Sequence, residues 1–337
     1  MPRATIDDVA ARAGVSKGTV SLVYSGKRTI SEETRERVLR AAADLDWVPS
    51  SRARALATRR SSTIGLVLAR DPDVIATDTF FAGFLAGVEA VLSTVDMGVL
   101  MQVVPDHDRE RDAYRSLARG RVDGVLLLDL EIDDARLDIV RSLSLPAVIV
   151  GAHPNPAGLP QAHVDDGRGM VALLDHLIEL GHSRIAHVSG PVGYVHARHR
   201  LDTFRSSLRE RGLDPSLVVE GDFTAQSGRS ATAELLAAET PPTAITFAND
   251  VMAMAGLSYA QSIGVAVPDD LSVTGFDDSE LAAHLTPSLT TVHTDVVAWG
   301  RRAAESLLGH IAGDDVADAV LDGPHLVNRN STGPAAS

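Results

Sequence analysis

Ala4-Thr-Ile-Asp-Asp-Val-Ala-Ala-Arg-Ala-Gly-Val-Ser-Lys-Gly-Thr-Val-Ser21 reads as two short helices and the turn between them. Thr5-Ile6-Asp7-Asp8 has capping-box form, in which a hydroxyl and an acid three residues on satisfy each other's backbone donors. Ile6, Val9, Ala10 and Ala13 follow on one face at helical spacing. Gly14 interrupts them, because glycine accepts the left-handed conformation that a tight turn requires. Ser16 is placed to cap a second helix, Lys17 to about Tyr24, whose Val20 and Val23 can face the first. Ser25-Gly26-Lys27 reads as a loop. Ser31 caps a third helix from Glu32 to about Leu45, with acids in its first turn and Val38, Ala41, Ala42 and Leu45 inward. Two helices joined by a Gly turn and braced by a third form a helix-turn-helix unit, expected over residues 1–48.

Charge supports a nucleic-acid role for this end alone. The net charge is −14, yet residues 1–60 hold 12 Lys or Arg against 7 Asp or Glu. The acidic remainder repels phosphate, so DNA would meet only the basic head. Both lysines of the chain, Lys17 and Lys27, lie there. With 337 residues the chain suits two or three domains. No apolar run approaches the roughly 18 residues of a membrane span. Acids at Asp7 and Asp8 stand where a secretion signal would be apolar, so a cytoplasmic protein is expected. Zero cysteines exclude disulfides, thiolate catalysis and zinc-thiolate sites.

Pro49 ends the head. Residues 49–62 are basic and small, with Leu56 the one large apolar side chain, and read as a linker or a segment that orders on binding. From Thr63 apolar strands alternate with amphipathic helices. Strands are expected at Ile64–Leu68, Gly98–Val103, Val125–Leu128, Ala147–Val150, Ile185–Val188, Ala244–Phe247 and Ser272–Phe276. Helices are expected near 80–95, 109–119, 168–180, 197–211, 226–238, 250–262 and 295–311. This pattern predicts parallel sheets covered on both faces. The length of residues 63–337 predicts two doubly wound lobes, with a ligand at the carboxyl ends of the strands between them. The fold class is thus an all-α helix-turn-helix head joined to an α/β sensor.

The Ala4–Ser21 stretch, Thr34-Arg-Glu-Arg-Val38, Trp47-Val-Pro49, Ala53-Arg-Ala-Leu-Ala57 and Ile64-Gly65 resemble the lactose-repressor/galactose-repressor (LacI/GalR) family. So do Leu180-Gly-His-Ser-Arg-Ile-Ala186, Ala248-Asn-Asp250, Gly275-Phe-Asp-Asp278, Pro287-Ser-Leu-Thr-Thr291 and Arg329-Asn-Ser-Thr-Gly333. A helix-turn-helix alone is a weak signal; this series in this order, covering essentially the whole chain, is specific. The resemblance implies a homodimeric, allosteric repressor that binds a pseudo-palindromic double-stranded operator. It also implies sensor lobes like those of periplasmic sugar-binding proteins and a sugar or sugar derivative as effector. Chain crossings between lobes are implied near 161–163, 291–294 and 324–327. Lobe one would then span about 63–161 plus 294–324, and lobe two about 162–291 plus 325–331. Whether effector releases or promotes DNA binding stays open at this level.

By motif position the DNA-facing residues are Thr5, Ser16, Lys17, Thr19, Ser21 and Leu22. Lys17 can donate to guanine, Leu22 can touch a thymine methyl, and Ser16, Thr19 and Ser21 suit phosphates. Gly18 departs from the family habit of a reading side chain at its position. Leu56 can wedge between base steps in the minor groove or pack on the head or a dimer mate; the family's hinge helix favours the wedge. Ala53 would let that helix lie close to the groove, and Arg52, with Arg54, Arg59 and Arg60, would meet phosphates. In the sensor, Arg198, Asn249 and Asp277 match effector-binding positions, and Phe223 matches a stacking position. Phe80 and Phe81 match a contact from the other lobe, and Asp129 is a further candidate. Gly151 stands where some relatives carry an acid. Asp250 and Asp278 are read as helix caps.

Two other classes were weighed. An enzyme would need a carrier for its chemistry, but there is no Gly-rich phosphate loop, no Gly-x-Ser-x-Gly elbow and no Cys. No cofactor and no metal is expected: the histidines are scattered, and Asp71-Pro-Asp73 and Asp106-His-Asp108 read as surface turns. A secreted solute-binding protein would carry neither the basic head nor the acidic start.

Overall fold

The computed structural model describes residues 4–25, 30–47 and 60–335. The head contains α1 (Ile6–Ala13), α2 (Lys17–Ser25) and α3 (Glu32–Asp44). The capping box is closed: Thr5 Oγ1 accepts the Asp8 N–H at 3.4 Å, and the Asp8 carboxylate accepts the Thr5 N–H at 2.8 Å. Gly14 ends α1 with φ 66°, letting the Val15 N–H reach the Ala10 carbonyl at 3.0 Å. Ser16 Oγ accepts the Thr19 N–H at 3.1 Å and so opens α2. Val9, Val20 and Val38 are fully buried among Ala10, Ala13, Ala41 and Ala42, small residues that let three short helices approach closely. An Arg12–Asp44 ion pair at 2.8 Å fastens α1 to α3.

The first sensor sheet has six parallel strands: β1 (Thr63–Leu68), β2 (Gly98–Val103), β3 (Gly124–Leu127), β4 (Ala147–Val150), β5 (Gln161–His163) and β11 (Ala319–Val320), in the order β11-β5-β4-β3-β1-β2. Its side chains alternate between two cores. Leu126 joins Ile64, Leu66 and Val148 on one face, while its neighbours Val125 and Leu127 join Tyr114, Leu137 and Ile149 on the other. The first face is covered by α5 (Thr79–Leu92) and α12 (Val296–Ala312), the second by α6 (His107–Leu117) and α7 (Ala135–Ser142). Helices α5 and α12 approach backbone to backbone. A Cβ at Gly87 would lie 2.1 Å from the Val297 carbonyl oxygen, and one at Gly300 2.1 Å from that of Phe84.

The second sheet has four parallel strands: β6 (Ile185–Ser189), β7 (Val218–Glu220), β8 (Ala244–Phe247) and β9 (Ser272–Thr274), in the order β7-β6-β8-β9. Helices α10 (Ala225–Leu236) and α11 (Asp250–Ser262) cover one face, and α8 (Asp166–Glu179) and α9 (Val195–Glu210) the other. The chain passes between the two sheets after β5, after β10 (Thr291–His293), and again before β12 (His325–Val327), which pairs antiparallel with β10.

The expected strand Ser272–Phe276 stops at Thr274, and just beyond it Asp277 and Asp278 take φ 108° and 53° and turn the chain out of the sheet. The helix expected over 80–95 ends at Leu92 and finishes as a single 3-10 turn. The short elements α4 (Pro72–Thr77), β5, β7 and β10–β12 were not anticipated, being too brief for hydrophobic periodicity to register, and α7 was not anticipated either. Asp71 and Asp106, read as turn residues, cap α4 and α6.

Candidate functional site

Two surfaces carry the candidate residues. On the head, Lys17 opens α2 and forms an ion pair with Asp7 of α1 at 2.5 Å, both side chains being exposed. Ser21 is exposed, and Leu22 lies partly buried beside it. The Thr5 hydroxyl is engaged in its cap, donating to Asp8 at 2.7 Å. Ser16 and Thr19 hydroxyls lie 3.0 Å apart. Arg52, Ala53 and Leu56, with Arg54 and Arg59, lie outside the described residues.

The second surface is a cavity of about 660 Å³ between the two sheets, at the carboxyl ends of their strands. The six-stranded lobe contributes Arg70, Asp78, Phe80, Phe81, Asp129 and Trp299. The four-stranded lobe contributes His196, Arg198, Arg200, Phe223, Asn249 and Asp277. Every sensor residue singled out from sequence therefore borders one cavity. Three of them, Asp129, Phe223 and Asp277, hold left-handed backbone with φ 52°, 70° and 108°. Such conformations cost energy in non-glycine residues and gather at ligand sites.

Phe80 stacks on Phe84 at 5.7 Å and meets Trp299 edge-on at 5.8 Å, giving the six-stranded lobe an aromatic wall. Across the cavity Phe223 is only 5% exposed: His196 stacks against it at 5.8 Å and the Arg70 guanidinium lies 5.0 Å over it. The more open aromatic face is thus Phe80 rather than Phe223.

Charges inside the cavity are matched. Arg70 donates through Nε to Asp129 at 2.8 Å. Burial opposes ionisation of Asp129, but this guanidinium holds its carboxyl below the ordinary value. Arg200 lies 3.3 Å from Asp166, donates to the Ala248 carbonyl at 2.8 Å, and sits 3.8 Å over the Phe276 ring. Burial raises Asp277 well above the carboxylate range, Arg200 offsetting only part of that, and burial raises Asp78 as well. Burial lowers His196 to about 4, so its ring is neutral near pH 7. Four buried polar atoms bordering the cavity have no hydrogen-bond partner among the described residues: His163 Nδ1, Asp166 Oδ1, Arg200 Nε and Thr294 Oγ1.

Arg198 borders the cavity with its Nε tied to the Val192 carbonyl at 3.2 Å. Arg200, which the sequence reading passed over, is the buried guanidinium. The signal was available: Ala197, Leu201, Phe204 and Leu208 form the inner face of α9, and Arg200 falls on it while Arg198, two residues earlier, does not. Asn249 spends its carbonyl capping α11 through the Met252 N–H at 2.9 Å and donates to the Phe223 carbonyl at 3.1 Å.

The cap readings of Asp250 and Asp278 are corrected. Asn249 caps α11, leaving the Asp250 carboxylate to accept from the Ser279 N–H and the Thr291 hydroxyl, each at 2.6 Å. Asp278 pairs with Arg329 at 2.5 Å and His293 at 3.0 Å, joining the turn after β9 to strand β10 and the chain end. In both cases the carboxylate ties segments distant in sequence, a use that local capping rules do not reveal.

A helix-turn-helix head joined to a two-lobed α/β receptor defines a DNA-binding regulator with a small-ligand sensor. The comparisons agree, and the chain belongs to the LacI family of bacterial transcription regulators. Residues 5–50 match the family model "Bacterial regulatory proteins, lacI family", and residues 174–332 match the periplasmic binding protein-like domain. The HTH-type transcriptional regulator CelR of Thermobifida fusca is 36% identical, with 98% of each chain covered. The HTH-type transcriptional repressor PurR of Photobacterium profundum is 35% identical over 97% of this chain and 98% of its own. Among solved structures, a CelR–cellobiose complex superposes with a TM-score of 0.76 at 34% identity, covering 98% of this chain and 100% of the other. A lac repressor dimer bound to operator and the anti-inducer ONPF gives 0.85 at 30% identity, covering 98% and 99%. These relatives are transcription regulators, and the reading of this chain as a regulator rather than an enzyme stands with them. Among the described residues, no helix is long and apolar enough to cross a membrane.

Proposed function

We propose that this chain is a transcriptional repressor, homodimeric and cytoplasmic, whose operator affinity is controlled by a sugar or sugar derivative held between the sensor lobes. The observation that carries the ligand class is the set of buried polar atoms without a hydrogen-bond partner at His163, Asp166 and Thr294, residues that line the cavity beside aromatic walls. Buried polar groups need partners, and hydroxyls both donate and accept. Arg70 and Arg200 already have carboxylate partners, while the Arg198 guanidinium, tied through Nε to the Val192 carbonyl, has a donor-rich end to offer a hydroxylated ligand. Cellobiose, bound by the related CelR, is the first probe. In this reading residues 1–48 bind DNA, 49–62 form the hinge, and 63–337 sense. Arg70, Arg200, Asp277, Asn249, Phe80 and Phe81 face the sugar.

A thermal-shift screen of mono- and disaccharides, run on the parent and on Arg198→Ala and Arg200→Ala, tests the site. A sugar that stabilises the parent should lose most of its effect in the Arg200 variant. A sugar that stabilises all three alike would place the ligand elsewhere.

On the head, Lys17→Ala is expected to weaken operator binding by about tenfold or more while lowering binding to unrelated DNA less, because a base contact is worth about 1–3 kcal/mol. Fluorescence anisotropy with both duplexes measures this. Equal losses would make Lys17 a phosphate contact.

A further inference from the structure

Residues 70–78 run as a strap from the end of β1 to the start of α5 and touch both lobes. Arg70 is held by Asp129 of the six-stranded lobe at 2.8 Å, yet its guanidinium carbon lies 4.4 Å from the Tyr194 ring and 5.0 Å from the Phe223 ring, both in the four-stranded lobe. Within α4 the lobes are joined again: Val74 is buried in the core of the four-stranded lobe, and Ile75 packs against that of the six-stranded lobe. Alongside, the Val195 N–H donates to the Leu130 carbonyl at 2.8 Å and Glu131 bridges Tyr194 in antiparallel fashion.

A desolvated guanidinium over two aromatic rings, with a carboxylate at its Nε, makes a stronger link than an exposed ion pair. Within its own lobe Arg70 is held by Asp129 and the nearby Asp78 charge, and both of its aromatic neighbours belong to the opposite lobe. We propose that Arg70 is a positioning residue that clasps the two lobes together in the ligand-free chain. The clasp biases the lobe equilibrium before any effector arrives; its bearing on DNA affinity rests on the effector reading of the cleft, but its existence does not.

Trp299 reports on the clasp. It lines the cavity at 7% exposure, and Trp47 is the other of the chain's two tryptophans. In a full-length Trp47→Phe background without added sugar, acrylamide quenching then reads the cavity wall alone. Arg70→Ala should raise the open-to-closed ratio by about tenfold and roughly double the quenching constant. Tyr194→Leu, which removes the nearer of the two ring contacts and leaves Phe223, should raise both by a smaller factor. The double variant should quench no more than Arg70→Ala alone, because the contact that Tyr194→Leu removes is one of those Arg70→Ala already breaks. Arg70→Lys should fall between, since an ammonium can pair with Asp129 but cannot lie flat over two rings. If Tyr194→Leu melts cooperatively and leaves the quenching constant at the parent value, the clasp is overturned; so it is if the two single effects simply add. Because no sugar is used, these outcomes are independent of whether the screen above identifies an effector.

Discussion

Arg200→Ala is expected to reduce effector affinity by about thirtyfold or more, because truncating a buried charged donor at a binding surface leaves its partners unpaired and costs about 2–5 kcal/mol of binding. Arg200 is the cation facing Asp166 and Asp277 on the inner surface of α9, and it also holds the Ala248 carbonyl at the end of β8. Without it the Asp277 carboxyl rises further toward the protonated form, and an acceptor a sugar would meet becomes a donor. Arg200→Lys separates positioning from charge. Lysine restores a positive charge near Asp166, so the melting temperature should recover in part. It cannot bond both Ala248 and a ligand while lying over the Phe276 ring at 3.8 Å, so affinity should stay low. Calorimetric titration of the parent and both variants with the sugar selected by the screen measures this. Unchanged affinity in Arg200→Ala would remove Arg200 from the site.

The second large effect concerns pH. His187 is fully buried in β6, with Nδ1 bonded to the Thr246 hydroxyl at 2.8 Å, its ring stacked on Phe204 at 5.1 Å, and Nε2 without a partner. Protonation would place an unpaired charge there, and burial lowers His187 to about 3. An unfolded histidine takes its proton near pH 6.5, so the unfolded chain binds more protons below that value and stability is lost as pH falls toward the folded value. The stability advantage of the parent over His187→Gln should therefore shrink by about 2 kcal/mol between about pH 6.5 and pH 5, at about 1.4 kcal/mol per unit. Asp250, raised by burial to about 6, has the opposite slope, gaining stability as pH falls, but it is common to both proteins and cancels in the difference. Urea unfolding at the two pH values measures the change. A constant difference would show that His187 is protonated without cost.

The head was legible because its determinants are local. Thr5, Gly14, Ser16 and Ser31 each act on neighbours within a few residues, so cap, turn and helix could be read in order. The sensor strands were legible because burial on both faces makes them continuous apolar runs, as in Val125–Leu128 and Ala147–Val150. The cavity was legible in part. Phe80, Phe81, Arg198, Phe223, Asn249 and Asp277 came from resemblance to family motifs and Asp129 from its place at a strand end, and all border it. Arg70 was not found, because its partners Asp129, Tyr194 and Phe223 are distant in sequence and Arg70-Asp71-Pro72-Asp73 looks like a surface turn. Asp250 and Asp278 were misread for the same reason. Each sits where a helix cap would, but its partners arrive from residues 279, 291, 293 and 329. Stacking on Phe223 could not be weighed without seeing Arg70 over its ring.

The central claim is that one cleft sets the affinity of the head for DNA, and reciprocal titration tests it most directly. Operator affinity is measured by anisotropy with and without the selected sugar, and sugar affinity with and without operator, in the parent and in Arg200→Ala. The account predicts that sugar changes operator affinity by about fivefold or more in the parent, and that operator changes sugar affinity by the same factor. It also predicts steep weakening of DNA binding with salt, and an Arg200→Ala protein that still binds operator but no longer responds to sugar. Operator affinity that is indifferent to a bound sugar, or a response that survives intact in Arg200→Ala, would contradict it.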